Sequence, residues 1–358
     1  MTLIASFEVE NAPILLGDIL ITVDRRSNRP VSTPLVPQPN GLLSSTATHQ
    51  VSGVSQKLLL LHDHLCLAWS GSLFNAAALA SRLKFLVQDQ PKLDYFELRD
   101  FIGDLNKDLR DLQYIIYCWT GEGWGYFSNL RSFELGALNN IRVAGSGTEH
   151  FVSNIEHFSN VQINGEILDY QTGLMRAISY AAMATIEQVF RGTGIVDRWG
   201  GGFEIVSFDG EKLKKQNKIL WLFWLFEEIH EGELLAALLP TFIYQFYIDD
   251  LAYFWINDDE RRIRNLYEVS NPLQKQSAGK FFDPPNFDVE LVVCGFCVKS
   301  GNEFRDGVFI DFAEPGDTAA LRLFINENDQ ISITIEQIFL DRFFQTTGFK
   351  VTSFVNWD

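Results

Sequence analysis

The sequence predicts an α+β protein: a four-layer αββα sandwich of helices and sheets, followed by a C-terminal α/β extension. Three observations carry that expectation. Apolar strand-like runs come in pairs joined by short polar turns, helix-spaced segments interrupt the strand blocks twice, and the pattern changes near residue 230. At 358 residues, and with roughly 150 residues per domain as a guide, two domains are expected, residues 1–230 and 231–358.

The elements follow in order. Residues Thr2–Val9 and Ile14–Val23 read as a hairpin around the turn signal Glu10-Asn11, both strands apolar enough to be buried on two faces. From Arg25 to Gly53 the chain turns to Pro, Ser, Thr, Asn and Gly, a loop long enough to be either functional or disordered. Leu58–Leu61 and Leu65–Ser70 form strands around His62-Asp63-His64. Helical spacing then runs from Phe74 to Leu86 and stops at Asp89-Gln90-Pro91. A second helix is expected over Tyr95–Leu112, and strands at Tyr114–Cys118, Trp124–Phe127 and Ile141–Ala144. Leu174, Ile178, Ala181, Ala182, Ile186 and Val189 give a core-facing helix over Gln171–Phe190. A strand resumes over Gly202–Phe208. Beyond residue 230, Leu234–Tyr247 reads as helix-like. Val289–Val298, Gly307–Phe312, Ala320–Asn326 and Ile331–Ile338 read as strands, with Asn328-Asp329 as a hairpin turn. No internal repeat is visible.

Composition excludes several function classes. Hydrophobic residues at 46% and charged residues at 21% describe a globular chain rather than a disordered one. Lys and Arg number 29 against 46 Asp and Glu, a net charge of −17. Such a chain repels phosphate backbones and anionic lipid, so neither nucleic acid nor a membrane is expected as partner. Ile219–Ile256 is broken by charges and by Pro240, short of the roughly 18 apolar residues that span a bilayer. Four cysteines make no disulfide framework, and no apolar leader follows Met1, so the chain reads as cytoplasmic. The 30 Phe residues, dense after position 220, point to a second aromatic core.

One group of residues suggests chemistry. Removal of Met1 would leave Thr2 first, with a hydroxyl nucleophile and a free α-amine on one residue. An amine with a pKa near 8 can serve as general base without a histidine. Asp18, Lys57, Gly71, the Gly145-Ser146-Gly147 turn and Asp197 follow in that order. With these offsets the sequence resembles the N-terminal-nucleophile hydrolases of the proteasome β-subunit and HslV peptidase type, over residues 2–230. The resemblance implies Thr2 as nucleophile, Lys57 beside its hydroxyl lowering the pKa, and Asp18 orienting Lys57. It implies Gly71 N–H as oxyanion donor, with Ser146 and Asp197 holding the amine. Thr22 falls at a substrate-binding position. Trp69 would floor a shallow pocket for a small side chain, with Leu59 and Leu73 as apolar walls. Gly200 stands where the family has serine, the Arg25–Gly53 loop is longer than in the family, and residues 231–358 have no counterpart. The implied activity is cleavage of peptide or amide bonds without cofactor or metal, by a homo-oligomer, a ring being one form. A small-molecule amidase or acylase, and a catalytically silent scaffold acting through protein contacts, are the alternatives.

The remaining signals read as structural. Cys294 and Cys297 form a lone C-x-x-C inside an apolar strand run, without the helix start or further ligands that redox or zinc chemistry needs. His62 and His64 flank a turn. Gly145-Ser146-Gly147 lacks the lysine of a phosphate loop. Ile219–Phe226 reads as core or oligomer interface, and Arg261-Arg262-Ile263-Arg264 as a basic spot, either a solvated face or an internal ion-pair partner.

Overall fold

The computed structural model describes residues 2–24, 31–36, 39–44, 47–88, 94–105, 109, 111–135, 138–160, 169–236, 241–258, 263–274, 288–312, 321–325 and 331–354. Met1, Arg261, Arg262, the Asp89-Gln90-Pro91 stop and the Asn328-Asp329 turn lie outside these residues. The chain divides into two compact units. One takes Met1–Ala181, Gly192–Gln216 and Val269–Gln276, the other Ala182–Arg191, Asn217–Glu268 and Ser277–Asp358. The division therefore falls before the apolar run at 219 rather than at 230, and each unit takes a piece of chain from within the other's span.

In the first unit, β1 (Leu3–Val9) and β2 (Ala12–Asp18) form the expected hairpin. Glu10 and Asn11 both take left-handed φ, 51° and 61°, the geometry that tight hairpin turns demand. Then come β3 (Leu20–Val23), β4 (Gln50–Val54), β5 (Leu58–His62), β6 (Leu65–Gly71), α1 (Leu73–Val87), α2 (Tyr95–Leu105), β7 (Leu112–Trp119), β8 (Trp124–Ser128), β9 (Phe133–Leu135) and β10 (Leu138–Gly145). The helices α3 (Thr148–Asn160) and α4 (Tyr170–Arg191), the Ala182–Arg191 part of α4 being counted with the second unit, precede β11 (Phe203–Phe208) and β12 (Leu213–Lys215). A six-stranded sheet runs β12-β11-β2-β1-β10-β9, a four-stranded sheet β5-β6-β7-β8, and β3 pairs with β4. Ile4, Leu15 and Val206 of the larger sheet share one core with Leu58, Ala68 and Ile115 of the smaller. Ser72 caps α1 by accepting the Asn75 N–H, and Leu79 and Leu83 seat that helix against Trp69 and Leu67. The segment expected as a long loop contains β4, and its described residues Thr33, Leu35 and Val36 are buried.

The second unit is built on β13 (Ile219–His230), whose aromatic run is core. It is followed by β14 (Glu233–Ala236), β15 (Thr241–Ile248), β16 (Leu251–Asp258), β17 (Ile263–Val269), β18 (Leu291–Ser300), β19 (Glu303–Phe312), β20 (Leu321–Ile325), β21 (Ile331–Ile335), α5 (Gln337–Thr347) and β22 (Lys350–Phe354). β13 pairs antiparallel with β14 and β15 and parallel with β18. Phe296 of β18 lies in a ring cluster with Phe226 and with Phe343 of α5.

The αββα sandwich with an α/β extension is therefore not what the chain forms. Strand outweighs helix, 47% to 26%, across several mostly antiparallel sheets, and five α-helices occur among the described residues. The error has a physical source. Leu234–Tyr247 carries apolar residues at spacings that suit a helix, yet its described parts are β14 and β15, because β13 beside them offers a ladder and an aromatic face. Phe, Tyr and Trp fit a pleated half-buried surface better than a helix. Of the run Ile331–Ile338 read as strand, Ile331–Ile335 form β21, and only its last two residues belong to α5.

Candidate active site

Three of the expected groups meet at the start of β1. Leu3 lies opposite Gly145, and Ile4 opposite Gly17, so Thr2 enters between β10 and β2. Gly145 has φ +98°, and a Cβ there would fall 1.6 Å from the Thr2 carbonyl oxygen. Only glycine permits so close an approach of two backbones. This accounts for the first glycine of the Gly145-Ser146-Gly147 turn.

Thr2 is 1% exposed. Its Oγ1 donates a hydrogen bond to Asp18 Oδ1, at the end of β2. Asp18 is wholly buried, and its Oδ2 accepts the Gly200 N–H at 2.6 Å. The Leu3 N–H donates to the same carboxylate. Gly200 lies in the turn after α4, where Arg198, Gly200, Gly201 and Gly202 all take positive φ. Those glycines let the backbone itself supply the donor, at the position where the family resemblance would put a serine.

Lys57 enters just ahead of β5, also 1% exposed. Gly17 makes room for it, since a Cβ at that glycine would come 3.1 Å from Lys57 Cβ. Lys57 Nζ sits 4.0 Å above the centre of the Trp69 ring and faces the carboxylates of Asp18 and Glu204. Burial pushes the Lys57 ammonium below the ordinary lysine range, with Asp18 and Glu204 opposing. Burial likewise pushes Asp18 above the ordinary carboxylate range, with Lys57, the Thr2 hydroxyl and two backbone N–H groups pulling it back. The Thr2 hydroxyl is thus bonded to the carboxylate of Asp18, whereas the resemblance implied Lys57 as its neighbour.

The other expected residues are placed as follows. Ser146 Oγ donates to the Arg198 carbonyl at 2.9 Å, while Asp197 stands exposed in that same turn. Gly71 closes β6 with φ +106°, and a Cβ there would meet the Asp111 carbonyl oxygen at 2.3 Å. Leu59 and Trp69 belong to the closed core beneath β5–β8. Leu73 is 44% exposed at the start of α1, and Thr22 is half-buried on β3. Thr2, Asp18, Lys57 and Trp69 form one buried group; Asp197, Leu73 and Thr22 stand outside it.

Sequence reasoning missed Glu204. It is wholly buried on β11, opposite Gly17 of β2, and bonded to the Lys57 backbone. The available signal was an acidic residue inside the apolar run Phe203–Phe208. Among the described residues no group of three or more His, Cys, Asp or Glu side chains is placed to hold a metal. Cys294 and Cys297 are free buried thiols on β18. Chemically, a hydroxyl bonded to a carboxylate that faces an ammonium can give up its proton to the carboxylate. The ammonium then stabilises the negative charge that develops.

No family model matches the chain, and no curated protein matches it.

Proposed function

We propose that this protein is an N-terminal threonine hydrolase that cleaves amide bonds, peptides foremost, once Met1 has been removed. The observation that carries the reading is the buried Thr2–Asp18–Lys57 group at the start of β1. Residues that far apart in the chain have little folding reason to bury two charges around a hydroxyl, given what desolvation costs. Removal of Met1 turns the Thr2 peptide nitrogen into an amine.

Thr2 Oγ then attacks the amide carbon, and its proton passes to Asp18 or to the freed α-amine. The tetrahedral oxyanion forms within reach of the Lys57 charge. Collapse breaks the C–N bond, the leaving amine takes the proton, and an ester to Thr2 remains. Water, deprotonated by the same base, hydrolyses that ester, releasing a carboxylic acid and restoring the hydroxyl. We place the protein in the cytoplasm; the four free, buried thiols support that location.

A second reading, a silent scaffold, is favoured by the 1% exposure of Thr2 in the intact chain. Two measurements separate them. Under the hydrolase reading, purified protein has an intact mass short by one Met, and a β-lactone or epoxyketone labels it stoichiometrically. Thr2→Ala takes no label. Retained Met1 with no labelling supports the scaffold, and labelling that survives Thr2→Ala removes Thr2 as nucleophile.

A further inference from the structure

Lys57 carries more scaffolding than a surface lysine needs. Glu204 Oε2 accepts the Lys57 N–H at 2.7 Å and the Leu58 N–H at 3.4 Å, which fixes the backbone where β5 begins. Glu204 Oε1 meets Lys215 Nζ of β12 at 2.6 Å. Lys215 also donates to Gln56 Oε1. Gln56 in turn gives its Nε2 to the Val269 carbonyl at 2.7 Å and its backbone N–H to Ser270 at 3.1 Å. Its own carbonyl accepts the Trp69 indole N–H at 3.0 Å, and the Lys57 carbonyl accepts the Trp69 backbone N–H at 3.1 Å.

Four charges therefore alternate through the interior: Asp18, Lys57, Glu204 and Lys215. Three are buried outright, and the side chain of Lys215 is 12% exposed. A carboxylate with no exposed surface is retained only where something compensates it. Here Lys215 does so at Oε1, while Oε2 holds the Lys57 backbone. The groups facing Lys57 are Asp18 at the end of β2, Glu204 on β11 and the Trp69 ring on β6. Cys66, also on β6, lies near Glu204 and Lys215 and is held as a neutral thiol by burial, its pKa pushed up to about 12.

We propose that Glu204 and Lys215 are positioning residues that set the charge and the place of Lys57, with Glu204 holding its proton on and Lys215 moderating that hold. The inference rests on the reading of Lys57 as part of a hydrolytic site, but the interaction itself is measurable in the resting protein.

The two substitutions push Lys57 in opposite directions. Glu204→Gln removes a facing negative charge, so Lys57 loses its proton at lower pH. Lys215→Met leaves Glu204 uncompensated, so Lys57 keeps its proton to higher pH. Removing or unmasking one opposite charge beside a buried group shifts its titration by about one pH unit or more. Full-length protein labelled with 13Cε-lysine reads this directly by NMR, the Lys57 resonance being assigned by its loss in Lys57→Met. The expected result is a midpoint about one pH unit down in Glu204→Gln, up in Lys215→Met, and near wild type in Lys215→Arg. A merely structural role would move both variants the same way or neither, and that outcome overturns the inference. Should Glu204→Gln not fold, the contrast between Lys215→Met and Lys215→Arg still decides it. A protein that takes the Thr2-directed label while Lys57 ignores positions 204 and 215 sinks this inference alone. A Lys57 that follows them in a protein that never takes the label sinks the hydrolase reading alone.

Discussion

Removing the charged pair at the site should make the protein more stable while ending its chemistry. The perturbation is the double substitution Asp18→Asn with Lys57→Met. Asp18 is pushed up to about 6 from 3.8, and Lys57 is pushed down to about 8 from 10.5. Either displacement, at 1.36 kcal/mol per pH unit, amounts to about 3 kcal/mol of native-state cost near neutral pH. The variant also loses hydrogen bonds to a carboxylate, worth about 1.5–3 kcal/mol each when charged, though the amide oxygen that replaces it still accepts from Gly200 or Thr2. The two displacements belong to one coupled pair and do not add, so the expected gain is that of replacing a buried ion pair by neutral groups, about 1–4 kcal/mol.

A carboxylate whose folded pKa is raised contributes stability that is full below about 3.8 and lost as pH rises through about 6. A lysine whose folded pKa is depressed contributes stability that is full above about 10.5 and lost as pH falls through about 8. Both penalties are therefore complete between about 6 and about 8, where the gap between variant and wild type is widest, narrowing on either side. Urea unfolding at a series of pH values measures it as a higher midpoint at unchanged slope. A double variant equal to or weaker than wild type at pH 7 would refute the reasoning, because the pair would then be a net contributor to the fold.

Three further outcomes follow from the same geometry. Labelling of Thr2 should rise with pH near about 6, as Asp18 becomes able to accept the hydroxyl proton, and fall near about 8 as Lys57 loses its charge; a rate flat from pH 5 to 9 contradicts both roles. Gly145→Ala should cost about 3 kcal/mol or more by urea midpoint and abolish labelling, since a Cβ 1.6 Å from the Thr2 carbonyl at φ +98° has no room; wild-type stability would contradict the close approach. In the second unit, Gly307→Ala should cost about 1–3 kcal/mol, because its Cβ would lie 2.3 Å from Phe296 Cζ and that ring is locked among Phe226 and Phe343. A neutral effect there would mean the ring cluster can give way.

Much of the first unit was legible in the sequence because its signals are local. The Glu10-Asn11 turn, the apolar runs of β1 and β2, the Ser72-capped α1 and the long α4 each announce themselves within a few residues of where they act. The resemblance also directed attention to Thr2, Asp18 and Lys57, which the structure joins through a hydrogen bond and facing charges. Local periodicity stops being informative where a segment's partner is remote. The run at 219–226 becomes the spine of a sheet because residues 291–298 lie parallel to it, and β14 and β15 are strands because that spine is beside them.

Fold class was decided in the same way, by long-range strand pairing that no window of the sequence contains. The site's electrostatics belong to tertiary structure as well. That the Thr2 hydroxyl bonds to Asp18, that Glu204 grips the Lys57 backbone and that Lys215 compensates Glu204 are all contacts between chain segments distant in sequence. A sequence specifies which groups can ionise and which strands can form. Whether a carboxylate meets water or an ammonium depends on which strands become neighbours, and folding sets that by burying apolar faces together.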